Sequence, residues 1–107
     1  MKYLYMVQMD SSTTDYDDIS TFLYTKYADA YAKFLTLVTN EFDADNSWIG
    51  SEVIDEDGDV NKDYEFECDD KQDGKSDICW RIVDRNDYNR HTFIYLTKEE
   101  IIQGATL

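Results

Sequence analysis

The 107-residue chain has no proline, four glycines, two cysteines and a single histidine. Without proline, and with so little glycine, there is no stretch that reads as a linker between domains. The length suits one domain rather than two. No glycine-rich phosphate loop, G-x-G-x-x-G fingerprint or G-x-S-x-G elbow is present, which removes the common nucleotide-binding and serine-hydrolase frames. Cys68, Cys79 and His91 contain no C-x-x-C pair and fall short of the four ligands of a structural zinc. Basic residues are scarce, and no apolar run approaches the ~18 residues of a membrane span. Residues 2–9 also lack the continuous apolar core and cleavage site of a signal peptide. These absences predict a cytoplasmic protein that needs no cofactor and touches no membrane.

What is abundant is acid. Asp and Glu number 24 against 10 Lys and Arg, a net charge of −14. A nucleic-acid reader carries a basic face, so direct contact with nucleic acid is excluded. The excess is local: residues 41–77 hold 15 acids and 3 bases, while the flanking regions are close to neutral. An acidic block is usually a solvated tail, but this one is interleaved with Trp48, Ile49, Val53, Ile54, Tyr64 and Phe66, and 42% of the chain is hydrophobic. The block therefore reads as folded, despite the self-repulsion that concentrates there.

Apolar patterning predicts the elements. Lys2–Met9 is a strand rich in Tyr, Leu, Met and Val, Asp10–Asp18 a polar loop, and Ile19–Tyr24 a short strand. Thr25 can cap a helix from Lys26 to Phe42, whose stripe Tyr27, Tyr31, Phe34, Val38 and Phe42 is widened by Ala30, Leu35 and Leu37. Trp48–Ile54 precedes an Asp57-Gly58 turn, and Asp73-Gly74 precedes the strand Ile78–Val83; Asp-Gly favours tight turns because both residues tolerate positive φ. Between the turns, Asp63–Asp69 alternates acid with Tyr64, Phe66 and Cys68, the signature of a strand with two unlike faces. Tyr88–Leu96 supplies a last strand, and Thr97-Lys98-Glu99-Glu100 matches a capping box that would start a short helix with Ile101 and Ile102. The expectation is a single acidic α+β domain over residues 1–107: an antiparallel sheet of order β-β-α-β-β-β-β, one long helix packed on one face, and a short C-terminal helix.

The carboxylates are the candidate chemistry. Alternate residues on a strand stand about 6.6–6.8 Å apart, close to the spacing of phosphates along one nucleic-acid strand. Asp63, Glu65, Glu67 and Asp69 form such a ladder, and Asp55, Asp57, Asp59, Asp70 and Asp73 crowd its flanking turns. This surface could meet the Arg and Lys contacts of a basic protein's phosphate-binding cleft; the plainer alternative is a solvated strand face. Trp48 would share the acidic face and serve as an aromatic anchor, unless it covers a second small core. A calcium loop starting at Asp55 fails at its sixth and twelfth positions, Val60 and Phe66, where glycine and glutamate belong. Tyr64, Phe66 and Cys68 must share a face with Ile78, Trp80 and Ile82, which demands an odd-length loop and sends Cys79 to the opposite face from Cys68, so both cysteines should be free. A lone His91 and carboxylates too plentiful to single out a pair identify no catalytic machinery.

In size, lack of proline, charge and the 41–77 acidic block, the chain resembles small phage-encoded inhibitors of bacterial defence, the anti-CRISPR proteins and anti-restriction DNA mimics. That resemblance implies a mode: carboxylates fill the nucleic-acid cleft of a defence nuclease or effector complex and exclude its target. Bacterial immunity proteins, which neutralise basic toxin nucleases, are similar by the same criteria and give the alternative reading. A small Ca²⁺-binding protein is the third.

Overall fold

The computed structural model describes residues 2–12, 17–41, 57, 59 and 61–101. Six elements follow in order: β1 (Lys2–Ser12), β2 (Asp17–Tyr24), α1 (Tyr27–Glu41), β3 (Tyr64–Asp69), β4 (Ile78–Asp84) and β5 (Asp87–Ile101). The five strands make one antiparallel sheet in the order β2-β1-β5-β4-β3. With the helix laid over β1, β5 and β2, the architecture is α+β. The expected strand Trp48–Ile54, the Asp57-Gly58 turn as a whole, Phe42 and Ile102 lie outside the described residues.

Strand alternation sorts the side chains. Val7 is registered between Phe22 on β2 and Leu96 on β5, and Leu96 lies beside Ile78 on β4. Ile94 pairs in the same way with Met9 and Trp80. These residues face α1, which presents Ala30 and Phe34 at the centre with Tyr27, Tyr31, Leu37 and Val38 around them. Val7, Ala30, Ile82, Ile94 and Leu96 are completely buried. Leu35, expected to widen the helix stripe, is instead 43% exposed; at 100° per residue it is turned away from Phe34 and off the sheet.

Three expectations are corrected. Thr97–Ile101 is the end of β5, not a helix. β1 runs the full length of β5, from Lys2 opposite Ile101 to Ser12 opposite His91, and its backbone groups claim those of the last turn. On the other side of β5, where β4 has ended, Asp77 Oδ1 accepts the Lys98 N–H at 2.9 Å. Thr97 Oγ1 meanwhile donates to Glu99 Oε1 at 3.0 Å, a bond along one strand face and not a helix cap. The Asp10–Asp18 loop is also shorter than its polarity suggests: β1 continues to Ser12 and β2 begins at Asp17. Cross-strand partners sustain the pairing there, with Asp10 Oδ1 at 3.3 Å from His91 Nε2 and Ser11 Oγ at 3.3 Å from Thr92 Oγ1. Finally, the apolar face of β3 is poorly covered. Phe66 meets Trp80 edge-on at 5.9 Å and stays 42% exposed, on the strand that ends the described sheet.

The parity argument for the cysteines matches the register. Cys68 stands opposite Trp80 and Cys79 opposite Asp69, so the two thiols are on opposite faces and both are free. Partial burial, with the charges of Asp70 and Asp69, pushes the thiol of the otherwise exposed Cys68 above its ordinary range.

The core assignment has a measurable consequence. Phe34→Ala should lower stability by about 3–5 kcal/mol, whereas Leu35→Ala, one residue along, should change it by no more than about 0.5 kcal/mol. Urea denaturation of both variants checks which face of α1 is buried; equal losses would show that the helix sits differently.

Candidate partner-binding surface

The acidic ladder takes its place from β3. Glu65, Glu67 and Asp69 alternate with Tyr64, Phe66 and Cys68 and register against Val83, Arg81 and Cys79 of β4, on the sheet face opposite α1. Asp63 sits in the turn that starts the strand: its carbonyl accepts the Arg85 N–H at 3.0 Å, and its own N–H donates to Asn61 Oδ1 at 3.0 Å. Asp57 and Asp59 are exposed. Two ladder carboxylates have cationic neighbours, Arg81 Nε at 3.7 Å from Glu67 and Lys71 Nζ at 3.8 Å from Asp69, with both acid side chains 57% exposed. Ion pairs this open contribute at most about 1 kcal/mol, so an incoming guanidinium or ammonium can replace them at little cost.

Next to the ladder, across β4, runs an aromatic row on β5. His91 stacks on Phe93 with centroids 4.3 Å apart, and Tyr95 follows at 6.2 Å. Arg81 links the two features, its guanidinium 5.4 Å from the Phe93 ring centroid while its Nε faces Glu67. The alternation of Phe93 and Tyr95 with buried Thr92, Ile94 and Leu96 sets this row on the face opposite the helix.

The remaining carboxylates go elsewhere. Asp70 and Asp73 belong to the loop between β3 and β4, which bends back towards α1. Asp70 Oδ2 accepts the Tyr31 hydroxyl at 2.7 Å, and Asp70 Oδ1 accepts the Gln72 N–H at 2.9 Å. Asp73 Oδ1 accepts the N–H groups of Lys75 at 2.9 Å and Ser76 at 2.8 Å, and its other oxygen accepts the Ser76 hydroxyl. A second tie joins the Tyr27 hydroxyl to the Ser76 carbonyl at 2.8 Å. The bend requires positive φ at Gln72 (53°) and Gly74 (75°), a conformation that glycine adopts without strain. Glu65, Glu67 and Asp69 thus lie on the sheet face opposite α1, while Asp70 and Asp73, in the turn that follows β3 as expected, are directed to the helix side. Asp55 and Trp48 lie outside the described residues. Among the described residues no group of three His, Cys, Asp or Glu side chains is arranged to hold a metal ion, and no helix is long and apolar enough to cross a membrane.

Sequence reasoning missed the part that Tyr27 and Tyr31 play in fastening this loop, because their helical spacing assigned them wholly to the core. The signal available was their hydroxyls: a half-buried phenol usually finds a polar partner, and the nearby loop is acidic.

No protein-family model, curated protein or solved structure matches this chain. Its function therefore rests on the residues and their geometry.

The loop ties respond to pH in opposite senses. The hydrogen bond to Asp70, together with burial and the charge of that carboxylate, pushes the Tyr31 phenol up to about 12 from its ordinary value of 10.0. Its folded pKa is raised, so the stability it lends is complete below pH 10.0 and is lost as pH rises towards 12. The Ser76 hydroxyl and the two N–H donors hold the Asp73 carboxyl down at about 2 from 3.8, so its contribution is complete above pH 3.8 and is lost as pH falls towards 2. A spectrophotometric phenol titration should show a step near pH 12 that Tyr31→Phe abolishes and Asp70→Asn moves back towards pH 10.0. A late step that survives Tyr31→Phe would mean that another phenol carries it.

Proposed function

We propose that this protein is a non-enzymatic acidic inhibitor that binds the basic nucleic-acid-binding surface of a defence nuclease or CRISPR effector complex, and that it blocks nucleic-acid binding by charge mimicry. The observation that carries the reading is the run of Glu65, Glu67 and Asp69 on one face of β3, the last strand of the described sheet. These side chains are exposed and spaced by the strand repeat, and their ion pairs are too weak to compete with a partner's arginines. The concentration of 15 acids in residues 41–77 supports the same conclusion. Strong negative potential steers a basic partner and accelerates its encounter. Across β4 from the ladder, the partly exposed rings of His91, Phe93 and Tyr95 already hold one guanidinium, that of Arg81, over the Phe93 ring. The partner is a protein; the inhibitor itself contacts neither nucleic acid nor membrane, acts in the cytoplasm, and uses no cofactor.

The test measures DNA binding and cleavage by purified CRISPR effector nucleases and basic toxin nucleases across a salt series. Inhibition should be strongest at low salt and fall steeply with ionic strength, because the screening length contracts from about 10 Å at 0.1 M to about 3 Å at 1 M. The triple variant Asp63→Asn, Glu65→Gln, Glu67→Gln keeps shape and alternation and should lose at least tenfold in inhibition, about 1.4 kcal/mol. The pair Glu99→Gln, Glu100→Gln, at the far end of β5, should leave it intact. A folded triple variant with full potency would refute mimicry through the ladder. Inhibition confined to toxin nucleases would place the protein among immunity proteins instead.

A further inference from the structure

A cavity of about 550 Å³ opens between the first two turns of α1 and the loop joining β3 to β4, lined by Tyr27, Ala28, Tyr31, Gln72 and Gly74. Its size falls within the range of ligand-binding pockets, about 300–1,000 Å³. One wall is aromatic. The Tyr27 and Tyr31 rings lie nearly parallel, 16° apart with centroids at 6.1 Å, and Tyr5 braces Tyr27 edge-on at 5.5 Å. The opposite wall is the loop carrying Gln72 and Gly74, both at positive φ. That loop is held in place before any ligand arrives, by the hydrogen bonds from Tyr27 to the Ser76 carbonyl and from Tyr31 to Asp70, and by the capping of Asp73. The surroundings are negative: Asp70 accepts the Tyr31 hydroxyl, and burial, with the charges of Asp73, Asp70 and Asp77, pushes the Tyr27 phenol above its ordinary range. Lys75, whose charge helps hold Asp73 ionised, offsets one of the three.

Two tyrosine rings next to a loop that carries Asp70 and Asp73, which flank the lining residues Gln72 and Gly74 without lining the cavity themselves, favour a delocalised cation. A guanidinium stacks flat on tyrosine and still directs its N–H groups to carboxylate oxygens. We propose that this cavity is a receptor for an arginine side chain of the protein's basic partner, a second point of attachment on the opposite side of the sheet from the ladder. The inference rests on the inhibitor reading for the identity of that partner, but the cavity's preference for arginine is testable without one.

The probe is a capped Gly-Arg-Gly peptide, with the Gly-citrulline-Gly peptide as a neutral isostere, titrated into the full-length protein and followed by NMR. The arginine peptide should shift the Tyr27 and Tyr31 ring signals and the Gln72 and Gly74 amides saturably, and at least tenfold more tightly than its citrulline counterpart. Ala28→Phe fills the cavity from an exposed helix position and leaves every tie between loop and helix in place, so it should abolish the shifts. The Asp63, Glu65, Glu67 triple variant should retain them. Shifts that do not saturate, that citrulline reproduces, or that persist in Ala28→Phe would overturn the proposal. Failure of the inhibitor reading would appear in the nuclease assays alone, with the peptide titration unchanged.

Discussion

The fold depends on the pairing of the chain's first strand with its last. Eleven residue pairs join β1 to β5, from Lys2 opposite Ile101 to Ser12 opposite His91. This ladder sets the register of the whole sheet, since β2 adds to the free edge of β1 and β4 to that of β5. A slip of one residue would move Val7, Ile94 and Leu96 out of the core and bring Gln8, Phe93 and Tyr95 into it. The burial of Val7, Leu96 and Ile94 against α1 thus fixes in one step both the core and the face on which the acidic ladder appears. Pairing across nearly the full length of the chain also makes this a fold of distant contacts, the kind that forms slowly because a long loop closes before those contacts stabilise it.

Charge and architecture are reconciled by position. The densest described acids lie on β3 and in its flanking loops, where Glu65, Glu67 and Asp69 are exposed, while the middle of the sheet is apolar on its helix side. β2, at the opposite end of the described sheet, is built differently: Ile19 and Leu23 are about 60% exposed there. Only Asp84 among the described acids of β3 and β4 is buried, and it is well supported, accepting the Asn86 N–H at 2.9 Å and an Arg90 N–H at 3.3 Å.

Tyrosine does two tasks in this molecule. The rings of Tyr5, Tyr27 and Tyr31 contribute apolar surface to the core, with Phe34 continuing the row at 6.4 Å from Tyr31. Their edges reach polar ground, and the hydroxyls of Tyr27 and Tyr31 carry the load of fastening an acidic loop to a helix. Phenylalanine would fill the same volume and leave that loop untied.

Much of this was determined by local chemistry and so was readable from the amino-acid order. The amphipathic stripe of α1, the two-faced alternation of β3 and the loop parity that separates Cys68 from Cys79 follow from the periods of 3.6 and 2, which depend on neighbours in sequence alone. Turn chemistry marked Gly74. What only the tertiary structure decided was where competing local signals were overruled. Thr97–Glu100 carries a helix start, yet β1 offers hydrogen bonds along its whole length, and backbone groups that find partners in a sheet do not turn into a helix. Asp10–Ser12 is polar enough for a loop, yet His91 and Thr92 meet its side chains across the strand. Asp70 and Asp73 follow the ladder directly in sequence but are directed away from it, because the loop folds back to reach two tyrosine hydroxyls contributed by a helix some forty residues earlier. Composition could count those carboxylates, but their direction is set by partners distant in the chain, and no local pattern encodes such partners.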